Sequence, residues 1–163
     1  MMRVVAAIAA LAAAYLAGCA SFDGGGFVPG KSGIAEIEAG MGMPDERLTL
    51  PNGDTVLYFS RLPAGRAMYA VTIGADGIMK SIEQRLTRQN MVTIRPGTWT
   101  KNEVRALLGP PGLTGRLVPD KREWWEYKYR DFREYRVLWV QFSEDGVARE
   151  VIDMQDPEMA RPG

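Results

Sequence analysis

The 163-residue chain contains no histidine and one cysteine, and its 20 basic and 20 acidic side chains cancel. Without histidine it lacks the commonest general base, the commonest metal ligand and the ordinary pH sensor. A single cysteine forms no internal disulfide and no thiolate cluster for zinc or iron–sulfur. Balanced charge is not the footprint of a nucleic-acid binder, whose affinity comes from clustered Lys and Arg. No Gly-x-Ser-x-Gly elbow is present, and no serine has an imidazole to activate it. No catalytic residue, metal or cofactor is therefore expected. Long apolar runs are absent except at the front, where residues 1–18 carry 16 apolar side chains and one charge, Arg3. The remainder suits one compact domain or two small ones.

The front segment reads as an export signal. Arg3 supplies the positive flank, and the apolar run after it is too short to span a bilayer comfortably. It ends in Leu16-Ala17-Gly18-Cys19, which resembles a bacterial lipobox. That resemblance implies cleavage after residue 18 and a Cys19 carrying two or three acyl chains, palmitate among them. More than one chain gives stable anchoring in lipid. Ala20 follows instead of an aspartate, so the expected location is the outer membrane, on its periplasmic face. Residues 19–30 then form the lipidated cysteine and a glycine-rich tether; its last ten residues reach at most about 35 Å.

A phosphate-loop spacing runs from Gly25 to Lys31-Ser32. A phosphate cradle needs a preceding strand and an unbroken set of backbone N–H donors. No apolar strand precedes this one, and Pro29 removes a donor. It reads as linker, and no nucleotide partner is expected.

The mature chain repeats itself. Pro29-Gly30, Glu36-Ile37, Ala39 and Gly42-Met43-Pro44 recur 67 residues later as Pro96-Gly97, Glu103-Val104, Ala106 and Gly109-Pro110-Pro111. Tyr58, Val71 and Asp76-Gly77 recur 69 residues later as Tyr127, Val140 and Asp145-Gly146. In the second unit Thr100 and Glu103 form a capping box, Val104, Leu107 and Leu108 make an apolar helix face, and Gly109 stops the helix. Ile34, Ile37 and Met41 make the corresponding face in the first. Strands are predicted at 47–50, 55–61, 68–74 and 78–86, then at 114–118, 123–130, 137–143 and 147–153. Asn52-Gly53, Asp76-Gly77 and Asp145-Gly146 mark the turns. Residues 87–91 could add a helical turn. The expected fold is α+β: a tandem repeat of short helix plus antiparallel β-meander, with helices packed on one face of the sheet. The repeats fall at 31–90 and 91–156, and residues 157–163 form a tail.

Ile94, Pro96-Gly97, Thr100, Glu103-Val104, Leu107-Leu108-Gly109, Pro111, Trp125, Tyr127 and Asp145-Gly146-Val147 carry a pattern that resembles the SmpA/OmlA (BamE-like) family of small outer-membrane lipoproteins. The likeness covers about 65 residues of the second unit, and the first unit only through the duplication. Tandem copies of such a unit are similar to the β-lactamase inhibitor protein fold. The resemblance implies a non-catalytic outer-membrane lipoprotein that binds an envelope protein, in an accessory role in outer-membrane protein assembly or envelope maintenance. The alternative it implies is a periplasmic enzyme inhibitor or sequestering module.

The partners expected are therefore outer-membrane lipid, through Cys19, and an envelope protein. The candidate contact surface lies around Trp124. Trp124 and Trp125 are adjacent in a strand, so their side chains leave opposite faces. Trp125, Tyr127 and Tyr129 form the more apolar row and are assigned to the core. Arg122, Lys128 and Arg130 share the face of Trp124, the composition of a binding surface. Asp120, Glu123, Glu126, Asp131 and Glu134 lie among cations and read as a solvated charged face.

Overall fold

A computed structural model describes residues 24–159; the lipobox at 16–19 and residues 160–163 lie outside the described residues. The elements run α1 (Ile34–Met41), β1 (Glu46–Thr49), β2 (Thr55–Ser60), β3 (Met68–Ile73), β4 (Met79–Gln84), α2 (Arg88–Met91), α3 (Lys101–Leu108), β5 (Leu113–Leu117), β6 (Arg122–Asp131), β7 (Glu134–Phe142) and β8 (Ala148–Gln155). They form two four-stranded sheets, ordered β1-β2-β3-β4 and β5-β6-β7-β8, with every pairing antiparallel. Short links between successive strands leave no room for crossovers, so each sheet is a meander. The architecture is α+β.

Local chemistry sets the ends of the helices. At α3 the Thr100 hydroxyl accepts the Glu103 N–H at 3.3 Å, and the Glu103 carboxylate accepts the Thr100 N–H at 2.7 Å. Gly109, at φ 82°, closes the helix by donating to the Arg105 carbonyl at 2.8 Å. α1 has glycine at its N-cap and no side-chain cap, and ends at Gly42 with φ 87°.

Matching hydrogen bonds tie each of these helices to its own sheet. Ile34 N–H meets the Gly77 carbonyl at 3.3 Å, and Lys101 N–H meets the Gly146 carbonyl at 2.9 Å. Gly30 N–H meets Met79 O at 2.8 Å, and Gly97 N–H meets Ala148 O at 2.7 Å. Each third strand has a register shift near its end, at Thr72/Ile73 and at Gln141/Phe142.

Apolar side chains gather in two cores. In the smaller, Ile37 and Met41 of α1 pack with Leu57, Phe59, Val71, Ile73 and Met79 of the first sheet. In the larger, Val104 and Leu108 of α3 join Trp125, Tyr127, Tyr129, Leu138, Val140 and Phe142 of the second sheet. Val56, Tyr58, Met68 and Ala70, from the other face of the first sheet, belong to the same cluster. The Tyr58 hydroxyl donates to the Ala106 carbonyl of α3 at 2.6 Å, and the Tyr127 hydroxyl donates to Gly109 O at 3.1 Å. α3 thus serves both sheets. The expectation of a helix on one face of each sheet is corrected for the first sheet, which is covered on both faces. Its strand β2 accordingly buries four consecutive residues, Val56 to Phe59.

Candidate partner surface on the second sheet

β6 alternates, and the alternation sorts its side chains. Trp125, Tyr127 and Tyr129 enter the large core, at most 5% exposed. Trp125 packs edge-on against Phe142 at 4.8 Å and donates its indole N–H to Glu123 at 2.6 Å. The intervening residues Arg122, Trp124, Glu126, Lys128 and Arg130 lie on the opposite face.

On that face Trp124 is half-buried, not free. Its ring stacks on Trp139 of β7, with centroids 5.5 Å apart and planes at 24°. On its other side it rests on Gly115 of the edge strand β5, directly paired with it. A glycine inside a strand leaves space for close approach, and the indole fills it. Trp139 donates its indole N–H to Glu126 at 2.7 Å, fixing the carboxylate beneath the pair. Half-buried Ile152 of β8, opposite Trp139, extends the apolar strip across the sheet. The result is an aromatic shelf running from Gly115 to Ile152.

The basic residues predicted around Trp124 take different positions. Arg122 reaches Gln141 at 3.2 Å and Glu150 at 3.4 Å, at one end of the shelf. Arg130 is exposed, its guanidinium 5.7 Å from the Tyr135 ring centre and bonded to the Phe132 carbonyl at 3.0 Å. Lys128 is a correction: its side chain is only 10% exposed and its ammonium pairs with Glu158 at 2.6 Å. That hydrogen bond raises its pKa, further favouring the charged form. The chain beyond β8 folds over this end of the face. Arg66, from the loop joining β2 and β3, joins that cover by pairing with buried Asp156 at 2.5 Å while its guanidinium lies over Tyr135 at 4.9 Å.

The carboxylates along β6 are engaged in ion pairs or hydrogen bonds. Glu123 binds Lys101 at 2.7 Å, and that hydrogen bond holds its pKa below the usual range. Asp131 meets Arg88 at 3.5 Å and Glu134 meets Arg136 at 3.1 Å. A general acid needs a raised pKa, and Glu123 shifts the other way. Among the described residues no group of three or more His, Cys, Asp and Glu is placed to hold a metal. Gly115 and Trp139 lie outside the predicted set around Trp124, although a glycine within a strand is a signal of close approach. Cys19 and its lipobox lie outside the described residues.

Residues 84–151 match the family model of the outer membrane protein assembly factor BamE domain, which agrees with the SmpA/OmlA, BamE-like family. The match takes in α2, α3 and the second sheet as far as the middle of β8. Among curated proteins none matches significantly. A crystal structure of a DUF4309 family protein (YjgB) from Bacillus subtilis is 18% identical, covers 82% of this chain and 85% of its own, and has a TM-score of 0.31. So low a score carries no argument about fold or function.

Proposed function

We propose that this chain is a non-catalytic outer-membrane lipoprotein, anchored through Cys19 on the periplasmic face. Its role is accessory, binding an envelope protein during outer-membrane protein assembly. The observation that carries this reading is the BamE-domain match over residues 84–151. The shelf of Trp124 and Trp139, with Arg122 at one end, is the surface offered to the partner. A stacked aromatic pair beside a guanidinium group has the composition of interface hot spots.

We also read residues 31–90 and 91–156 as two copies of one unit. Paired hydrogen bonds support this: Ile34 to Gly77 beside Lys101 to Gly146, and Gly30 to Met79 beside Gly97 to Ala148. Similar φ angles at Gly77 (80°) and Gly146 (77°) support it too.

Affinity capture from detergent-solubilised membranes tests the function. Recovery of outer-membrane assembly proteins by the parent chain, reduced with Trp124→Ala, is the expected result. Recovery of one soluble periplasmic enzyme instead would replace this reading with that of an inhibitor.

A further inference from the structure

The β6–β7 hairpin closes through two residues, Phe132 and Arg133, between the paired Asp131 and Glu134. Phe132 has φ 51°, in the left-handed region where a two-residue turn commonly places glycine. The residue there is instead a phenylalanine that is 93% exposed, the most exposed large apolar residue among those described. The turn is braced, since Arg130 Nε–H donates to the Phe132 carbonyl at 3.0 Å and Arg88 reaches Asp131 at 3.5 Å. So exposed a ring adds little to packing, and the backbone beneath it favours a residue without Cβ. Such departures from local preference mark sites where something outside the fold is met.

The course of the chain indicates what that is. Gly24 lies against the Ile82 side chain and Gly30 bonds to Met79, so residues 24–30 run back along β4. Gly24, the first described residue, therefore stands nearer the Gln84 end of β4 than its Met79 end. That end continues into α2, whose Arg88 touches Asp131 at the hairpin. Cys19 stands five residues before Gly24, within at most about 18 Å. The start of the described chain and the Phe132 tip thus belong to the same end of the molecule, and Cys19 is within that short reach of it. The turns bearing Val118 and Gly146 lie at the opposite end of the second sheet.

Charge at the tip fits the same surface. Arg88 and Arg133 lie at the tip with Phe132, Asp131 and Glu134, Arg130 is bonded to the Phe132 carbonyl, and Arg133 has no ion-pair partner among the described residues. An apolar ring with guanidinium groups behind it matches the boundary of a phospholipid layer, acyl carbons below and phosphates above.

We propose that the Phe132 hairpin is a second membrane contact, with its ring inserted into the leaflet that holds the Cys19 acyl chains. The lipoprotein is then held at two points, which fixes its orientation on the surface. This rests on the anchoring role proposed for Cys19.

The test uses the acylated full-length protein in vesicles of phosphatidylethanolamine and phosphatidylglycerol, with no other protein present. With Cys19 blocked by its lipid, Phe132→Cys and Val118→Cys each carry one free thiol for an environment-sensitive fluorophore. The label at 132 should shift to shorter wavelength and be quenched several-fold more by lipids brominated near the headgroup than the label at 118. Vesicle-bound protein with both labels reporting water overturns the hairpin contact and leaves the anchor standing. Protein that fails to sediment with vesicles overturns both. A shift at 132 that appears only after adding envelope proteins assigns the ring to a protein pocket and also overturns the proposal.

Discussion

The indole of Trp124 lies flat on the bare backbone of Gly115: a Cβ at that glycine would stand 2.5 Å from the ring's Cε2 and 2.7 Å from its Nε1. Trp139 closes the other side of the ring at 5.5 Å. A side chain on the exterior of a sheet is thus held in one orientation, which lowers the entropy lost when a partner packs on it.

Stability and binding should separate between the two neighbouring tryptophans. Trp125→Ala removes a buried aromatic and should cost about 3–5 kcal/mol in urea unfolding. Trp124→Ala should cost about 1 kcal/mol, the value of a stacked pair, and weaken partner capture by about 2 kcal/mol. Gly115→Ala should displace the ring and weaken capture without the larger loss of stability. Unchanged capture by Trp124→Ala would remove this strand from the interface.

Two helix-ending glycines should respond unequally. Gly42 and Gly109 share φ 87° and 82° with ψ -172° and -171°, a region essentially reserved for glycine, so alanine is strained by about 1–3 kcal/mol at either. A Cβ at Gly42 meets nothing within 4 Å, whereas at Gly109 it meets Met68 and Tyr58 at 2.9 Å. Gly109→Ala should therefore destabilise by about 1–3 kcal/mol more than Gly42→Ala. Equal unfolding midpoints would mean that α3 does not press against the first sheet.

Asp156 should contribute a pH-dependent share of stability. Burial raises its pKa, but the Arg66 guanidinium, the Glu158 N–H and Lys128 outweigh this and hold the carboxyl below the usual range. A folded-state pKa below the unfolded value means stabilisation that is complete above roughly pH 4 and lost as pH falls through the folded value. Asp156→Asn should be less stable than the parent by about 2 kcal/mol at neutral pH. That gap should close on acidification below roughly pH 4. A gap that stays constant in denaturant titrations from neutral to acid would count against the ion pair.

Cys19→Ser should abolish incorporation of a fatty-acid analogue and leave the chain uncleaved or free of the membrane, because the sequence has no other cysteine. Label retained on the variant would disprove the lipobox reading.

What the sequence determined by itself was local. The capping box of Thr100 and Glu103, the turns at Asp76-Gly77 and Asp145-Gly146, and the alternation that sends Trp125, Tyr127 and Tyr129 inward all act within a few residues. Short-range geometry favours the cap and turns and assigns each of those aromatics to one common face. The strand pairing followed, because consecutive hairpins leave a meander few alternatives. The strand ends were less legible: β7 begins at Glu134 and β8 runs to Gln155, past the predicted limits, because pairing continues through charged residues that no apolar pattern marks. Only the tertiary structure decided which faces stay open. Val56 and Tyr58 are buried because α3, far along the chain, is shared between the sheets. Lys128 is withdrawn because Glu158 pairs with it, beside a cover in which Asp156 meets Arg66 across 90 residues of sequence. Periodicity tells which side of a strand a residue takes, but whether that side meets solvent depends on which distant segment comes to rest on it.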